Sequence, residues 1–234
     1  YNRPNYIVET IESVLESNFN DYEIIISDDC SPKSKEIKKN IEPYLDKKNI
    51  KFFNQKINLK EPENKNFLVN NSNGLYNIVL GDDDKFYDYT LSTLKNYIEK
   101  YNNYSIYTFG YTVIDQNDNK IYTRKSPKKF EINQRNKFLK KLFLCENIPL
   151  GVFHSATYCC KNEVDKDIPF SNEAGIGEDF MFLFDALNND HKIFTIPESL
   201  FMWRKSQERS AADHFNQSQL DYTNVYARKE ILYH

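Results

Sequence analysis

The stretch Ile78-Val79-Leu80-Gly81-Asp82-Asp83-Asp84-Lys85 decides how the chain is read. An apolar, strand-like run ends in a glycine, and three carboxylates follow at once. Open α/β sheets present the carboxyl ends of their strands to the ligand crevice. Three adjacent acids at such an edge repel one another unless a cation or solvent relieves them. If the chain stays extended, Asp82 and Asp84 point to the same side. That arrangement suits a hard divalent ion, Mg²⁺ or Mn²⁺, which takes oxygen ligands and bridges phosphates. Taken alone the triplet reads equally well as a solvated acidic turn, so the flanking sequence has to decide.

Toward the amino terminus the pattern alternates. Tyr76 to Leu80 reads as the strand that delivers the acids, after a helix over residues 62 to 73 that stops near Gly74. Ile50 to Asn54 is a short strand. Lys33 to Leu45 forms an amphipathic helix with Ile37, Ile41 and Leu45 at fourfold spacing. Glu23 to Ser27 is a short strand whose centre, Ile24-Ile25-Ile26, is continuously apolar, as strands covered on both faces are. It ends in Asp28-Asp29-Cys30-Ser31, a second acidic edge. Pro4 to Ser17 reads as a helix, with Pro4 in its first turn and Ile7, Ile11, Val14 and Leu15 on one face. This alternation predicts a parallel sheet with helices on both sides. A doubly wound sheet also wants a strand before the first helix, and the expectation is one preceding Tyr1.

Toward the carboxyl terminus, Tyr89 to Tyr101 is a helix with Leu91, Leu94 and Ile98 inward. Ser105 to Ile114 and Lys120 to Thr123 form a strand pair around the polar turn Asp115-Gln116-Asn117-Asp118-Asn119. Residues 133 to 144 are helical, and strand character returns near Thr157 to Cys160. Gly177 to Leu187 is a helix with Phe180, Phe184 and Leu187 on one face and Glu178 and Asp179 in its first turn. Short strands follow at Ile193 to Ile196 and Leu200 to Trp203. The expected organisation is one domain over residues 1–210 and a polar helical tail over 211–234, with no repeat or linker.

A chain of 234 residues accommodates one α/β domain with a substantial core. At 40% hydrophobic and 28% charged residues it reads as globular and soluble. The 17 Tyr and 17 Phe accompany an excess of Lys, Asn and Ile, a bias toward AT-rich codons, so aromatic abundance is no functional signal here. A net charge of −3 without a basic field argues against nucleic acid as the partner. Cys30, Cys145, Cys159 and Cys160 lack zinc or C-x-x-C spacing and read as reduced structural thiols. No apolar run approaches the roughly 18 residues that span a bilayer.

Four pieces then line up in order: Tyr1-Asn2-Arg3-Pro4 before a helix, the strand ending Ser27-Asp28-Asp29-Cys30-Ser31, Gly81-Asp82-Asp83-Asp84 after a strand, and Gly177-Glu178-Asp179 opening a helix. Together they resemble the family 2 glycosyltransferases of the GT-A fold, over most of the chain to about Trp203. The resemblance implies an α/β architecture with a Rossmann-like, mostly parallel sheet and a small antiparallel acceptor-side part. It implies that Tyr1 lies against the uracil ring and that Asp28 or Asp29 accepts from a base or ribose donor. Lys65 and Asn66 match loosely the basic residue and asparagine that precede the family's acidic motif, with Leu68 where a glycine is usual. Asp84 would be the direct ligand of the metal on the diphosphate, Asp82 a further metal or sugar contact, and Asp83 part of the same donor site. Asp179 would be the general base, with Glu178 positioning the acceptor. Arg204 falls where a basic residue clamps phosphate. Lys205, Ser206 and Gln207 stand where the family often has a histidine. His154 reads as acceptor-side or structural.

The expected activity is metal-dependent, inverting transfer of a sugar from a nucleoside diphosphate, UDP first, using Mn²⁺ or Mg²⁺. The expected acceptor is a bacterial surface polysaccharide or lipid-linked glycan. The expected place is cytoplasmic, with possible peripheral association at the inner face of the plasma membrane. Two other readings stay open at this point: a glycosyltransferase-like module that binds nucleotide or glycan without turnover, and a nucleotidyltransferase on a related scaffold. The latter would want a glycine-rich basic phosphate loop, which Tyr1-Asn2-Arg3-Pro4 is not.

Overall fold

The computed structural model describes residues 1–125, 130–132, 155–172 and 178–205. The chain opens with helix α1 (Tyr6–Leu15), which buries Ile7 and Ile11 together with the polar Thr10 and Ser13. Strand β1 (Ile24–Asp28) pairs in parallel with β2 (Ile50–Asn54), from Ile24 opposite Ile50 to Asp28 opposite Asn54. Helix α2 (Ser34–Ile41) buries Ile37 and Ile41. It gives way to a 3₁₀ turn at Glu42–Tyr44, short of the expected Leu45, because Pro43 has no N–H to continue the ladder. Ile7, Ile11, Ile26, Ile37, Ile41 and Ile50 form the core of this part.

A second sheet holds the rest: β3 (Tyr76–Asn77), β4 (Lys85–Phe86), β5 (Ile106–Ile114), β6 (Lys120–Arg124), β7 (Phe130–Ile132), β8 (Tyr158–Lys161) and β9 (Ile193–Arg204). Its order is β3-β8-β5-β9-β4, with β6 added to β5 and β7 to β9. Helices α3 (Glu61–Asn70), α4 (Thr90–Lys100), α5 (Asn162–Asp167) and α6 (Glu178–Asn188) complete the described elements. β5 and β9 run in parallel as the spine, while β3–β8, β5–β8, β4–β9, β5–β6 and β7–β9 are antiparallel. The architecture is mixed α/β, and among the described residues parallel pairing is confined to β1–β2 and to the spine. All of β5 except Tyr111 is buried. The Phe194 ring packs among those of Tyr97, Tyr101, Tyr104 and Tyr107, with centroids 4.5 to 6.1 Å away.

Two expectations change. The pair of short strands at 193–196 and 200–203 is one continuous strand. Thr108 pairs with Thr195 and Gly110 with Ser199, so the bulged stretch between them houses Pro197 without ending the strand. The strand expected over 76–80 is confined to Tyr76–Asn77. Among the described residues, 78–80 pair with no strand and β1 pairs only with β2. Both line one cavity of about 2260 Å³, floored by Ile7, Ile11 and Val14 of α1.

The spine depends on the Phe194 cluster. Phe194→Ala should destabilise the fold by about 3–5 kcal/mol, read as a lowered midpoint in urea with an unchanged slope. A loss under about 1 kcal/mol would mean that the cluster contributes little.

Candidate functional site

Residues 81–84 form a tight turn, with the Asp84 N–H donating to the Gly81 carbonyl at 3.3 Å. The Thr10 hydroxyl fixes the turn from below, 2.7 Å from the Asp84 carbonyl and 3.1 Å from that of Asp82. Gly81 is required by close approach: a Cβ there would lie 2.8 Å from Asp84 Oδ2. Asp84 is buried, and its Oδ1 accepts the Arg204 N–H at 3.0 Å. Burial lifts its pKa to about 7, with the Arg204 N–H opposing and the Asp82 charge adding to the rise.

Arg204, at the end of β9, lies beneath this turn with its side chain only 1% exposed. Its Nε donates to the Asp83 carbonyl at 2.9 Å, Nη2 meets Glu9 at 2.7 Å, and Nη1 meets Asp118 at 2.7 Å. The guanidinium also stands 4.7 Å from the centre of the Tyr6 ring. The residue expected to clamp phosphate therefore has its donors engaged within the protein. Facing the acids from the other side is Arg3, paired with Asp83 and, at 3.2 Å, with Asp82. The Tyr1 ammonium stands 2.7 Å from Asp82, and its side chain is half exposed.

At the end of β1, Asp28 is buried and holds the Ser31 hydroxyl and N–H. Asp29 accepts the N–H groups of Leu59 and Lys60 at 2.6 and 3.0 Å, fixing the approach to α3. Asp29 lines the cavity and Asp28 does not. Asp28 thus closes its own turn, and Asp29 holds the backbone that leads into α3.

The third group joins α3 to the first turn of α6. Lys65 pairs with Glu178, with Asp179 at 3.2 Å and with Glu61 at 3.0 Å. Burial pushes the Lys65 ammonium down, but Asp179, Glu61 and Glu178 outweigh it, so the net shift is upward. Burial raises Glu178 to about 7 against the pull of Lys65. Asn66, the neighbouring candidate, exchanges two hydrogen bonds with the Phe170 backbone and packs α3.

The structure brings Tyr1, Asp29, Lys65 and the acidic turn to the wall of one cavity, together with Glu178, Asp179 and Arg204. Arg3, Glu9, Thr10 and Glu61 escaped the sequence reading. Thr10 had a signal, as a polar residue beside Ile7 and Ile11 on the inward face of α1. His154, Gly177, Ser206, Gln207, Cys145, His214, the helix over 133–144 and the tail over 211–234 lie outside the described residues. Among the described residues no three His, Cys, Asp or Glu side chains form a ready metal cage. Around the turn, Asp82, Asp83, Asp84, Glu9 and Asp118 face Arg3, Arg204, Lys85 and the Tyr1 ammonium, five acids against four cations. That excess of negative charge, with few free protein ligands, fits a divalent ion completed by phosphate oxygens.

The family described as Glycosyl transferase family 2 matches residues 1–162. Among solved structures, S. aureus TarS 1-349 in complex with UDP-GlcNAc superposes with a TM-score of 0.71 at 17% identity, covering 96% of this chain and 62% of that one. TarS 1-349 in complex with UDP gives 0.68 at 20% identity, covering 87% and 58%. The mannosyltransferase PcManGT from Pyrobaculum calidifontis, in complex with GDP-Man and Mn²⁺, gives 0.61 at 11% identity, covering 87% and 54%. At these identities the likeness establishes the GT-A fold, and the chain spans about three fifths of the TarS 1-349 chains. No curated protein matches the chain in sequence.

Two outcomes follow from the geometry. Gly81→Ala should keep the fold but displace the Asp84 carboxylate from the Arg204 N–H, costing about 1–3 kcal/mol at the urea midpoint; an unchanged midpoint would show that the close approach is relieved without cost. Because the folded-state pKa of Glu178 lies above its ordinary 4.5, its contribution to stability is present below pH 4.5 and lost as pH rises to about 7. Glu178→Gln should remove part of that fall across the window, measured by urea midpoints. An identical pH dependence in the variant would contradict the shift.

Proposed function

The chain belongs to glycosyl transferase family 2, and we propose that it transfers a sugar from a nucleoside diphosphate, UDP first, to an acceptor hydroxyl with inversion at the anomeric carbon. One observation carries this reading: the acidic turn and the Glu178–Asp179 pair, from opposite halves of the chain, line a single cavity. Preference for uridine draws on the UDP and UDP-GlcNAc complexes of TarS and on the half-exposed Tyr1 ring, an aromatic face of the kind that stacks on a base.

In this reading the diphosphate lies against residues 82–84. Asp84 and Asp82 would hold Mn²⁺ or Mg²⁺, which when bound neutralises charge on the departing diphosphate. Arg204, Thr10 and Gly81 keep the turn in shape. Asp179 accepts the acceptor's proton as the hydroxyl oxygen bonds to the anomeric carbon. The bond from that carbon to the phosphate oxygen breaks, and its electron pair leaves with the nucleoside diphosphate. Asp179 then returns the proton to solvent. Glu178 steers the acceptor beside it.

The proposed acceptor is a growing bacterial surface polysaccharide or lipid-linked glycan, reached from the cytoplasmic face of the membrane. The proposed contact there is peripheral; no described helix is long and apolar enough to cross a membrane.

The test titrates UDP, with GDP and CMP as controls, with and without Mn²⁺, on the native chain and on Asp179→Asn. UDP should bind preferentially and with Mn²⁺ dependence to both. Turnover of the variant should fall about 10²–10⁴-fold. Full activity in Asp179→Asn would remove the base, and absence of nucleotide binding would favour a non-catalytic module.

A further inference from the structure

We infer that Lys65 is a positioning residue for the Glu178–Asp179 pair and makes no contact with the donor's phosphates. This rests on the reading of Asp179 as the base. Family resemblance points the other way, since a basic residue here is expected in the donor site.

The geometry decides between the two roles. An ammonium group has three protons to donate. Three carboxylates surround Lys65 Nζ: Glu178, Glu61 at 3.0 Å and Asp179 at 3.2 Å. The Phe170 ring covers a further side, its centre 5.3 Å away. The Lys65 side chain is 6% exposed and that of Glu178 is 7% exposed. Turning toward a phosphate would leave Glu178 buried without a counter-ion, which is strongly unfavourable. Glu178 and Asp179 are adjacent acids on the first turn of α6, and their charges repel. The ammonium from α3 relieves that repulsion and ties both side chains to a neighbouring helix. Asp179 keeps a slightly more open face than Glu178, with 13% of its side chain accessible. That leaves it the member of the pair able to meet an acceptor.

Other titratable groups also face this cluster. Glu61 comes from α3, and the buried Tyr158 hydroxyl of β8 feels both Asp179 and Glu178. Asp165 of α5 also acts on Tyr158. Lys65 is the cation that the described ion pairs place on Glu178 and Asp179.

The experiment compares Lys65→Met and Lys65→Arg with the native chain by UDP calorimetry, steady-state turnover and ¹³C titration of the Glu178 carboxyl. Lys65→Met should leave the UDP Kd within about twofold and lower kcat about a hundredfold. Lys65→Arg should recover most of that loss. The Glu178 midpoint should rise by about one pH unit or more in Lys65→Met, a readout independent of nucleotide. A UDP Kd raised about tenfold with kcat nearly unchanged would assign Lys65 to the phosphates and overturn the inference. An unmoved Glu178 midpoint would overturn it as well. If Lys65→Met does not fold, the double variant Lys65→Met/Glu178→Gln removes both buried charges, and its UDP Kd alone decides: a value within about twofold of native supports the inference, and one raised about tenfold overturns it. Failure of the base reading shows separately, as retained turnover in Asp179→Asn, while the UDP Kd of the Lys65 variants still decides the phosphate question.

Discussion

A buried guanidinium ties the two parts of this molecule together at its acidic turn. Arg204 ends the longest strand of the second sheet, and its donors reach Asp83, Glu9 of α1 and Asp118 of the β5–β6 turn. Its own N–H holds Asp84. A charge this deep is tolerable only when its hydrogen-bonding capacity is met on all sides, so the partners constrain one another. β9 sets where Arg204 emerges, Arg204 sets where the turn lies, and Thr10 and Gly81 fix the turn's shape. The Asp84 carboxylate is thereby presented at one defined point, with a proton affinity raised by burial.

The Lys65 cluster repeats this logic on the other side of the cavity. Both centres collect more carboxylates than cations, one around the buried Arg204 and the other around the buried Lys65. Such an arrangement is costly for stability, because burial favours the neutral form of the Asp84 and Glu178 carboxyls. The excess of negative charge at the turn matches a divalent ion and its diphosphate, while the excess at Glu178 and Asp179 matches a site that removes a proton.

Much of this was legible in the sequence, and the limits are instructive. The run Glu23 to Ser27, the acidic edge that ends it and the acids opening α6 were visible because local period and turn chemistry carry them. The family resemblance rested on those same residues. Lys65 and Arg204 stood out as basic residues near the motifs, but their partners lie far along the chain, and no local pattern says which carboxylate a buried cation will meet. Arg3 and Glu9 stayed hidden for the same reason. Pro197 suggested a break in β9; only the pairing with β5 reveals the bulge that accommodates it. The unpaired state of residues 78–80 is likewise a property of neighbouring strands and not of Ile-Val-Leu.

The central claim is that the donor's diphosphate and its metal sit at Asp84. The most direct measurement is the crystal structure of the protein with UDP and Mn²⁺, using the anomalous signal of manganese. The account predicts a single peak about 2.0–2.3 Å from an Asp84 carboxylate oxygen, bridged to the diphosphate, with Lys65 still on Glu178 and Asp179. Manganese or UDP bound away from residues 82–84 would contradict it.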